Sequence, residues 1–124
     1  MGLIGGILGN ASEADIVKIQ KEFDPVLAKG EEIKRVYKYI RDFFVFTNIR
    51  LVLVEKQDVL GKKINYHTIP YSRILQFSIE TPGYLGLDSE LKIYVAGMDD
   101  PVVRKINRFI NVFELQTALA EFVM

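Results

Sequence analysis

The chain has 124 residues, of which 49% are hydrophobic and 26% are charged, and its 16 basic side chains balance its 16 acidic ones. This length suits one domain with a real core, and the absence of a basic excess argues against a nucleic-acid partner. With no cysteine and a single histidine, His67, disulfides and thiolate or histidine-rich metal sites are excluded, and a cytoplasmic location is expected.

The first ten residues, MGLIGGILGN, carry no charge. They lack the basic flank of a secretory signal peptide, and the apolar run is too short to cross a membrane. Because the apolar side chains in it recur near helical spacing, we expect them to pack against the domain or against a second copy of the chain. These side chains are Leu3, Ile4, Ile7 and Leu8.

A helix is predicted from about residue 12 to residue 23. Ser12 is a good N-cap, and Asp15 places a negative charge in the first turn, where the helix dipole favours it. Apolar residues then recur at helical spacing, at Ile16, Ile19 and Phe23. We expect residues 1–30 to form one unit with the domain of residues 31–124.

Residues 31 to about 106 show the pattern of about seven short strands separated by turns. The strand segments are EEIKRVYKYI, DFFVFT, RLVLVEK, INYHTI, ILQFSIE, ELKIYVA and VVRKI. No helical pattern lies between them, so a βαβ fold is excluded and an antiparallel sandwich or small barrel is favoured. Thr47-Asn48 is placed at a hairpin turn, where Asn tolerates left-handed backbone.

Alternation along the strands predicts which side chains face the core. The continuous apolar run RLVLVEK is typical of an internal strand, and in ILQFSIE the inward residues are predicted to be Leu75, Phe77 and Ile79. Adjacent Phe43 and Phe44 must point to opposite faces. One of the two rings therefore needs a cover, either the N-terminal helix or a neighbouring subunit.

The C-terminal segment is predicted to be an amphipathic helix. Asn111 is a suitable N-cap, and Glu114 stands three residues later, as in a capping box. The apolar stripe that follows is Val112, Leu115, Leu119 and Phe122. The predicted order is therefore helix, seven strands, helix, with the last helix closing one end of the barrel.

The sequence also resembles the bacterial PH-domain family of small prokaryotic pleckstrin-homology-like proteins. The matching stretches are FTNIRL at 46–51, GKK at 61–63, YHTIPYSRI at 66–74, FSIET at 77–81 and LDSELKI at 87–93. The resemblance covers essentially the whole chain. It implies a seven-stranded antiparallel PH-like barrel or sandwich capped by a C-terminal helix. It further implies homo-oligomeric rings, no enzymatic activity and no cofactor.

We therefore expect a non-enzymatic interaction or scaffold module that self-associates into a cyclic homo-oligomer, with protein segments as further candidate partners. The predicted interface residues are Leu3, Ile4, Ile7, Leu8, Phe43 and Phe44. The alternative is a membrane-surface adaptor for anionic lipid head groups or other anions. Its predicted contacts are Lys38, Arg41, Arg50, Lys62 and Lys63. An enzyme is disfavoured, because the chain shows no catalytic motif and no metal-ligand pattern.

Overall fold

Two helices and two sheets are seen in the computed structural model, which describes residues 9–60, 62–81, 88–107 and 110–124. Within these residues the order is α1 (Glu13–Phe23), β1 (Ile33–Tyr39), β2 (Asp42–Thr47), β3 (Arg50–Lys56), β4 (Ile64–Pro70), β5 (Ile74–Glu80), β6 (Ser89–Val95), β7 (Val102–Ile106) and α2 (Val112–Val123). The predicted mainly-β fold, with seven strands between two helices, is confirmed. The predicted contacts of Leu3, Ile4, Ile7 and Leu8 lie outside the described residues.

The chain divides into two compact units, the first ending at Thr68 and the second beginning at Ile69. A four-stranded sheet has the order β1-β2-β3-β4, and a three-stranded sheet has the order β5-β6-β7. Neighbouring strands pair antiparallel from β1 to β3 and from β5 to β7. The predicted grouping of residues 1–30 with residues 31–124 stays a prediction.

Helix α1 packs on one face of the first sheet. The Ser12 hydroxyl accepts the amide of Asp15 at 3.1 Å, so the predicted N-cap is confirmed. The buried helix residues join a cluster of sheet residues: Ile16, Ile19 and Phe23 with Ile33, Val36, Phe43, Val45, Val52 and Val54. Each fully buried side chain of this kind contributes about 1.5–3 kcal/mol to the stability of the fold. The helix is therefore an integral part of the first unit.

Both phenylalanines of the Phe43-Phe44 pair are buried, with exposed fractions of 5% and 3%. Phe43 lies in the cluster under α1, so the helix covers this face of the sheet. Phe44 points to the opposite face, as strand alternation requires. The buried side chains of that face also include Tyr37, Phe46, Leu51 and Leu53. Little of either ring is accessible in a single chain, and the interface role of the pair stays a prediction.

The first strand of each sheet contains a bulge. The pairing of β5 with β6 shifts between Ile74 and Gln76, which leaves Leu75 as the extra residue. Leu75 is 68% exposed, so the prediction that it faces inward is wrong. A matching shift in β1 leaves Lys34 as the extra residue. Both strands lie at sheet edges, where bulges discourage pairing with other chains.

The β1–β2 and β2–β3 turns of the first sheet are built differently. In the β2–β3 turn, the Thr47 hydroxyl accepts two turn amides at 3.1 and 3.0 Å. The Asn48 side chain accepts the Glu32 amide at 2.8 Å and donates to the Gly30 carbonyl at 3.1 Å. The turn position is confirmed, and Asn48 does not take the left-handed backbone that asparagine tolerates. Among the described non-glycine residues, positive φ occurs at Ile40 in the β1–β2 turn, at 57°.

Helix α2 begins as the sequence predicts. The Asn111 side chain accepts the amides of Phe113 and Glu114 at 2.9 and 3.2 Å. The ring of Phe122 stacks on Tyr71 with centroids 5.5 Å apart, which joins the end of α2 to the start of the second unit. The buried helix residues are Leu115, Ala118 and Leu119.

Candidate functional site

Arg50, a predicted anion contact, is held in an internal ion pair. Its Nε donates to Glu31 Oε2 at 2.7 Å, and its second terminal nitrogen donates to Glu31 Oε1 at 2.9 Å. The guanidinium also donates to the Val26 carbonyl at 3.0 Å and to Thr68 Oγ1 at 3.1 Å. Each guanidinium nitrogen is therefore engaged within the chain, and Arg50 has little capacity left for an external anion.

The partner carboxylate, Glu31, has a fully buried side chain. It also accepts the Ala28 amide at 2.9 Å and the Thr47 hydroxyl at 2.7 Å. Burial alone would raise the pKa of Glu31, but the hydrogen bonds from Arg50, Ala28 and Thr47 outweigh it and lower this pKa to about 2. The Glu31–Arg50 pair therefore connects the segment before β1 to the start of β3 as a charged structural link.

Lys38, another predicted anion contact, fastens the N-terminal segment to β1. Its ammonium lies 3.2 Å from an Asp15 carboxylate oxygen. Burial would raise the pKa of Asp15, but hydrogen bonds from Ser12 and Lys38 lower it below its ordinary value. The Asn10 side chain accepts the Lys38 amide at 2.6 Å and donates to the Lys38 carbonyl at 3.1 Å. Lys38 is therefore committed to contacts within the chain.

The remaining three predicted contacts lie together at one end of the first sheet. Arg41 donates to the carbonyls of Lys56 at 3.2 Å and Val59 at 3.3 Å, which joins the β1–β2 turn to the β3–β4 loop. Lys62 and Lys63 follow in that loop, and both are exposed. Arg50 begins β3, about 20 Å from this end at 3.3 Å per residue. The five predicted residues therefore do not form one anion site.

Three aliphatic side chains are strongly exposed at the same end: Ile40 at 69%, Val59 at 92% and Leu60 at 75%. We name the whole group the first-sheet tip, which comprises Ile40, Arg41, Val59, Leu60, Lys62 and Lys63. A β-branched residue at positive φ costs roughly 1–2 kcal/mol, and such strain concentrates at functional positions. The sequence prediction identified the basic residues of the tip but missed its aliphatic ones, although Val59-Leu60 is an unusual pair for a polar turn.

A pocket of about 200 Å³ opens between the end of α1 and strands β3 and β4. We name it the α1–β4 pocket. Its apolar walls are Phe23, Val26, Val52 and Tyr66, and its polar groups are Glu22, Arg50 and Thr68. The rings of Phe23 and Tyr66 meet edge to face with centroids 6.0 Å apart. Tyr66 and Thr68 stand two residues apart on β4 and therefore share a face of that strand. The sequence did not predict that the end of α1 would make a pocket there.

No group of three or more histidine or acidic side chains is placed to hold a metal ion in the part of the chain that the structure describes. His67 lies half-buried on β4. Neither helix seen in the described ranges is long and apolar enough to cross a membrane.

Two antiparallel sheets of four and three strands, followed by a C-terminal helix, define a pleckstrin-homology-like domain. The family model described as "Bacterial PH domain" matches residues 2–123, and the chain therefore belongs to the bacterial PH-domain family. The predicted family is confirmed.

The relatives of the chain agree with this assignment. It is 42% identical over 125 residues to the uncharacterized protein YjqA of Bacillus subtilis (strain 168), with full coverage of both chains. It is similar to the solved pleckstrin homology domain of Shewanella amazonensis SB2B, with 43% identity, a TM-score of 0.83 and 94% of each chain covered. A DUF1696 family protein with a pleckstrin-homology domain from Shewanella loihica PV-4 matches with 36% identity and a TM-score of 0.75, covering 87% of this chain and 96% of that one.

Proposed function

We propose that this chain is a non-enzymatic, cytoplasmic interaction module that self-associates into a cyclic homo-oligomer. The observation that carries the proposal is the first-sheet tip, where the side chains of Ile40, Val59 and Leu60 are 69%, 92% and 75% exposed. Clustered exposed apolar side chains mark association surfaces. Burying each of these side chains at a contact between copies would contribute about 1.5–3 kcal/mol to the free energy of association.

A ring requires a head-to-tail contact between two different surfaces of the chain. The second unit carries exposed apolar side chains of its own, Leu75 on β5 at 68% and Phe113 on α2 at 76%. We propose that the first-sheet tip of one copy contacts these residues of the next copy. The zero net charge supports this contact, because copies of the chain have no overall charge repulsion to overcome.

Sedimentation velocity of a Val59→Ser/Leu60→Ser variant tests the proposed contact. The matched control is Ile49→Ser, which removes an aliphatic side chain that is 49% exposed in the β2–β3 turn. We expect wild type and control to sediment as the same oligomer, and the double variant to sediment as a 14.2 kDa monomer. An unchanged oligomer in the double variant would show that the tip is not the contact.

A second candidate function is docking on an anionic membrane surface. The observation that favours it is that Arg41, Lys62 and Lys63 are exposed beside the aliphatic residues of the tip. An apolar patch with a basic border suits a bilayer that contains anionic lipids, and each basic residue near such a surface contributes about 1 kcal/mol. Lys38 and Arg50 take no part in this candidate function, because their charges are paired with Asp15 and Glu31.

Cosedimentation with vesicles separates this function from self-association. We expect wild type to bind phosphatidylserine vesicles, and Lys62→Gln/Lys63→Gln to bind them roughly 30-fold more weakly, from about 1 kcal/mol per lysine. The control Lys18→Gln/Lys29→Gln removes two exposed lysines outside the tip and should bind as wild type does. Equal binding to neutral phosphatidylcholine vesicles, or no loss in the tip variant, would argue against a membrane role.

A further inference from the structure

The α1–β4 pocket is separate from the first-sheet tip, and its size restricts what it can hold. Its volume is about 200 Å³. An apolar cavity of roughly 150 Å³ holds a benzene molecule, whereas sites for drug-sized ligands span about 300–1,000 Å³. The pocket therefore suits a group the size of one amino-acid side chain.

Among the polar groups of the pocket, Glu22 has hydrogen-bonding capacity left. The three guanidinium nitrogens of Arg50 are engaged within the chain, and Thr68 Oγ1 accepts one of them. Glu22 Oε2 is buried and has no hydrogen-bond partner among the described residues. The other oxygen, Oε1, lies 4.0 Å from Lys56 Nζ, which is beyond hydrogen-bond distance. The Glu22 side chain is 23% exposed and lines the pocket, so a cationic ligand can reach its carboxylate and gain a charge-assisted hydrogen bond.

The walls of the pocket suit the apolar part of such a ligand. Tyr66 and Val26, which are 44% and 55% exposed, present the accessible aromatic and aliphatic surface, and the other apolar lining residues, Phe23 and Val52, are buried. Aromatic faces also attract cations. The negative charge of Glu22 attracts cations as well. Its effect reaches Tyr66, because burial and this carboxylate together raise the pKa of Tyr66. The pocket therefore combines apolar walls with one carboxylate, that of Glu22.

We propose that the α1–β4 pocket binds one lysine or arginine side chain of a partner polypeptide. The cationic group pairs with the Glu22 carboxylate, and the methylene stem packs on Val26 and Tyr66, which are 55% and 44% exposed. A polypeptide is the expected source, because Tyr66 and Thr68 belong to β4, the last strand in the order of the first sheet. An extended segment can add to such an edge and direct one side chain into a neighbouring pocket.

Nuclear magnetic resonance titration of the full chain tests the proposal. The probes are four five-residue peptides, capped at both ends, with glycine at every position except the centre, which is lysine, arginine, norleucine or glutamate. We expect the lysine and arginine peptides to shift the amides of Phe23, Val26 and Tyr66, and to bind at least about tenfold tighter than the norleucine peptide. Equal affinity for norleucine, tighter binding of glutamate, or no shift at millimolar peptide would overturn the proposal.

Three variants assign the interaction to the carboxylate. Glu22→Gln keeps the shape of the side chain and should lower the affinity for the lysine peptide to that for norleucine. Glu32→Gln removes an exposed carboxylate outside the pocket and should change nothing. Lys56→Gln removes the competing cation and should tighten lysine binding, a gain that misfolding does not produce. Unchanged lysine binding in Glu22→Gln, or weaker binding in Lys56→Gln, would contradict the assigned role of Glu22.

Discussion

Replacing Glu31 by glutamine is expected to remove a large electrostatic contribution to the stability of the fold. The pKa of Glu31 falls from its ordinary value of 4.5 to about 2 in the folded chain. At 1.36 kcal/mol per pH unit, this difference corresponds to about 3 kcal/mol of folding free energy at neutral pH. Because the side chain is fully buried, solvent does little to reduce the figure. Glu31→Gln should therefore lower the free energy of unfolding at pH 7 by about 3 kcal/mol.

The depressed pKa of Glu31 also makes the stability of the wild-type chain depend on pH. A carboxyl group with a depressed pKa in the folded state binds protons more tightly when the chain is unfolded, so acid favours unfolding. The contribution of Glu31 is complete above pH 4.5 and is lost as the pH falls toward 2. About three-fifths of it should be gone at pH 3. Glutamine has no proton to gain, so the Glu31→Gln variant should lack this part of the acid sensitivity.

Urea unfolding of wild type and variant at pH 7 and pH 3 measures both effects. The control is Glu32→Gln, because Glu32 is 70% exposed and pairs with Lys34 on the surface. Exposed pairs contribute about 0–1 kcal/mol, so the control should stay close to wild type. The reasoning is refuted if Glu31→Gln matches wild type at pH 7, or if the full difference between them persists at pH 3.

Four further substitutions probe local structure by thermal or urea unfolding. Gly9→Ala should destabilise by more than about 1 kcal/mol, because a Cβ there would clash with the Val36 carbonyl oxygen. Gly30→Ala, also at positive φ but with open space around it, should cost less; equal costs would refute the clash. In the Val59→Ser/Leu60→Ser background, where we expect a monomer, Ile40→Asn should stabilise by about 1 kcal/mol, because Asn tolerates positive φ, and any loss of stability there would contradict that strain. Asn111→Ala should cost about 1 kcal/mol through the lost cap of α2, whereas an unchanged melting temperature would show that the cap is dispensable.

Local sequence signals were sufficient for the main features of the fold. The caps at Ser12 and Asn111 act within one helical turn, and both helices begin where these residues predict. The apolar run RLVLVEK became β3, which lies inside the first sheet with residues 51–54 buried. Such features depend on neighbours a few residues away, so they can be predicted without knowing the packing.

The failures involve contacts between residues distant in the sequence. Arg50 was predicted to face an anion, but its partner is Glu31, which is 19 residues away and reaches it only after the strands pair. Leu75 follows the alternating pattern of its strand, yet the register shift against β6 places it outside. Neither the pairing register nor the α1–β4 pocket, with Glu22 beside Tyr66, leaves a periodic signal in the sequence. These features could therefore be identified only from the structure.

Self-association of the intact chain is the central functional claim, and its molar mass in solution tests that claim most directly. Size-exclusion chromatography with multi-angle light scattering measures this mass without reference to molecular shape. We predict one species at micromolar concentration whose mass is a whole multiple, greater than one, of 14.2 kDa. A single species of 14.2 kDa over the same concentration range would contradict the account.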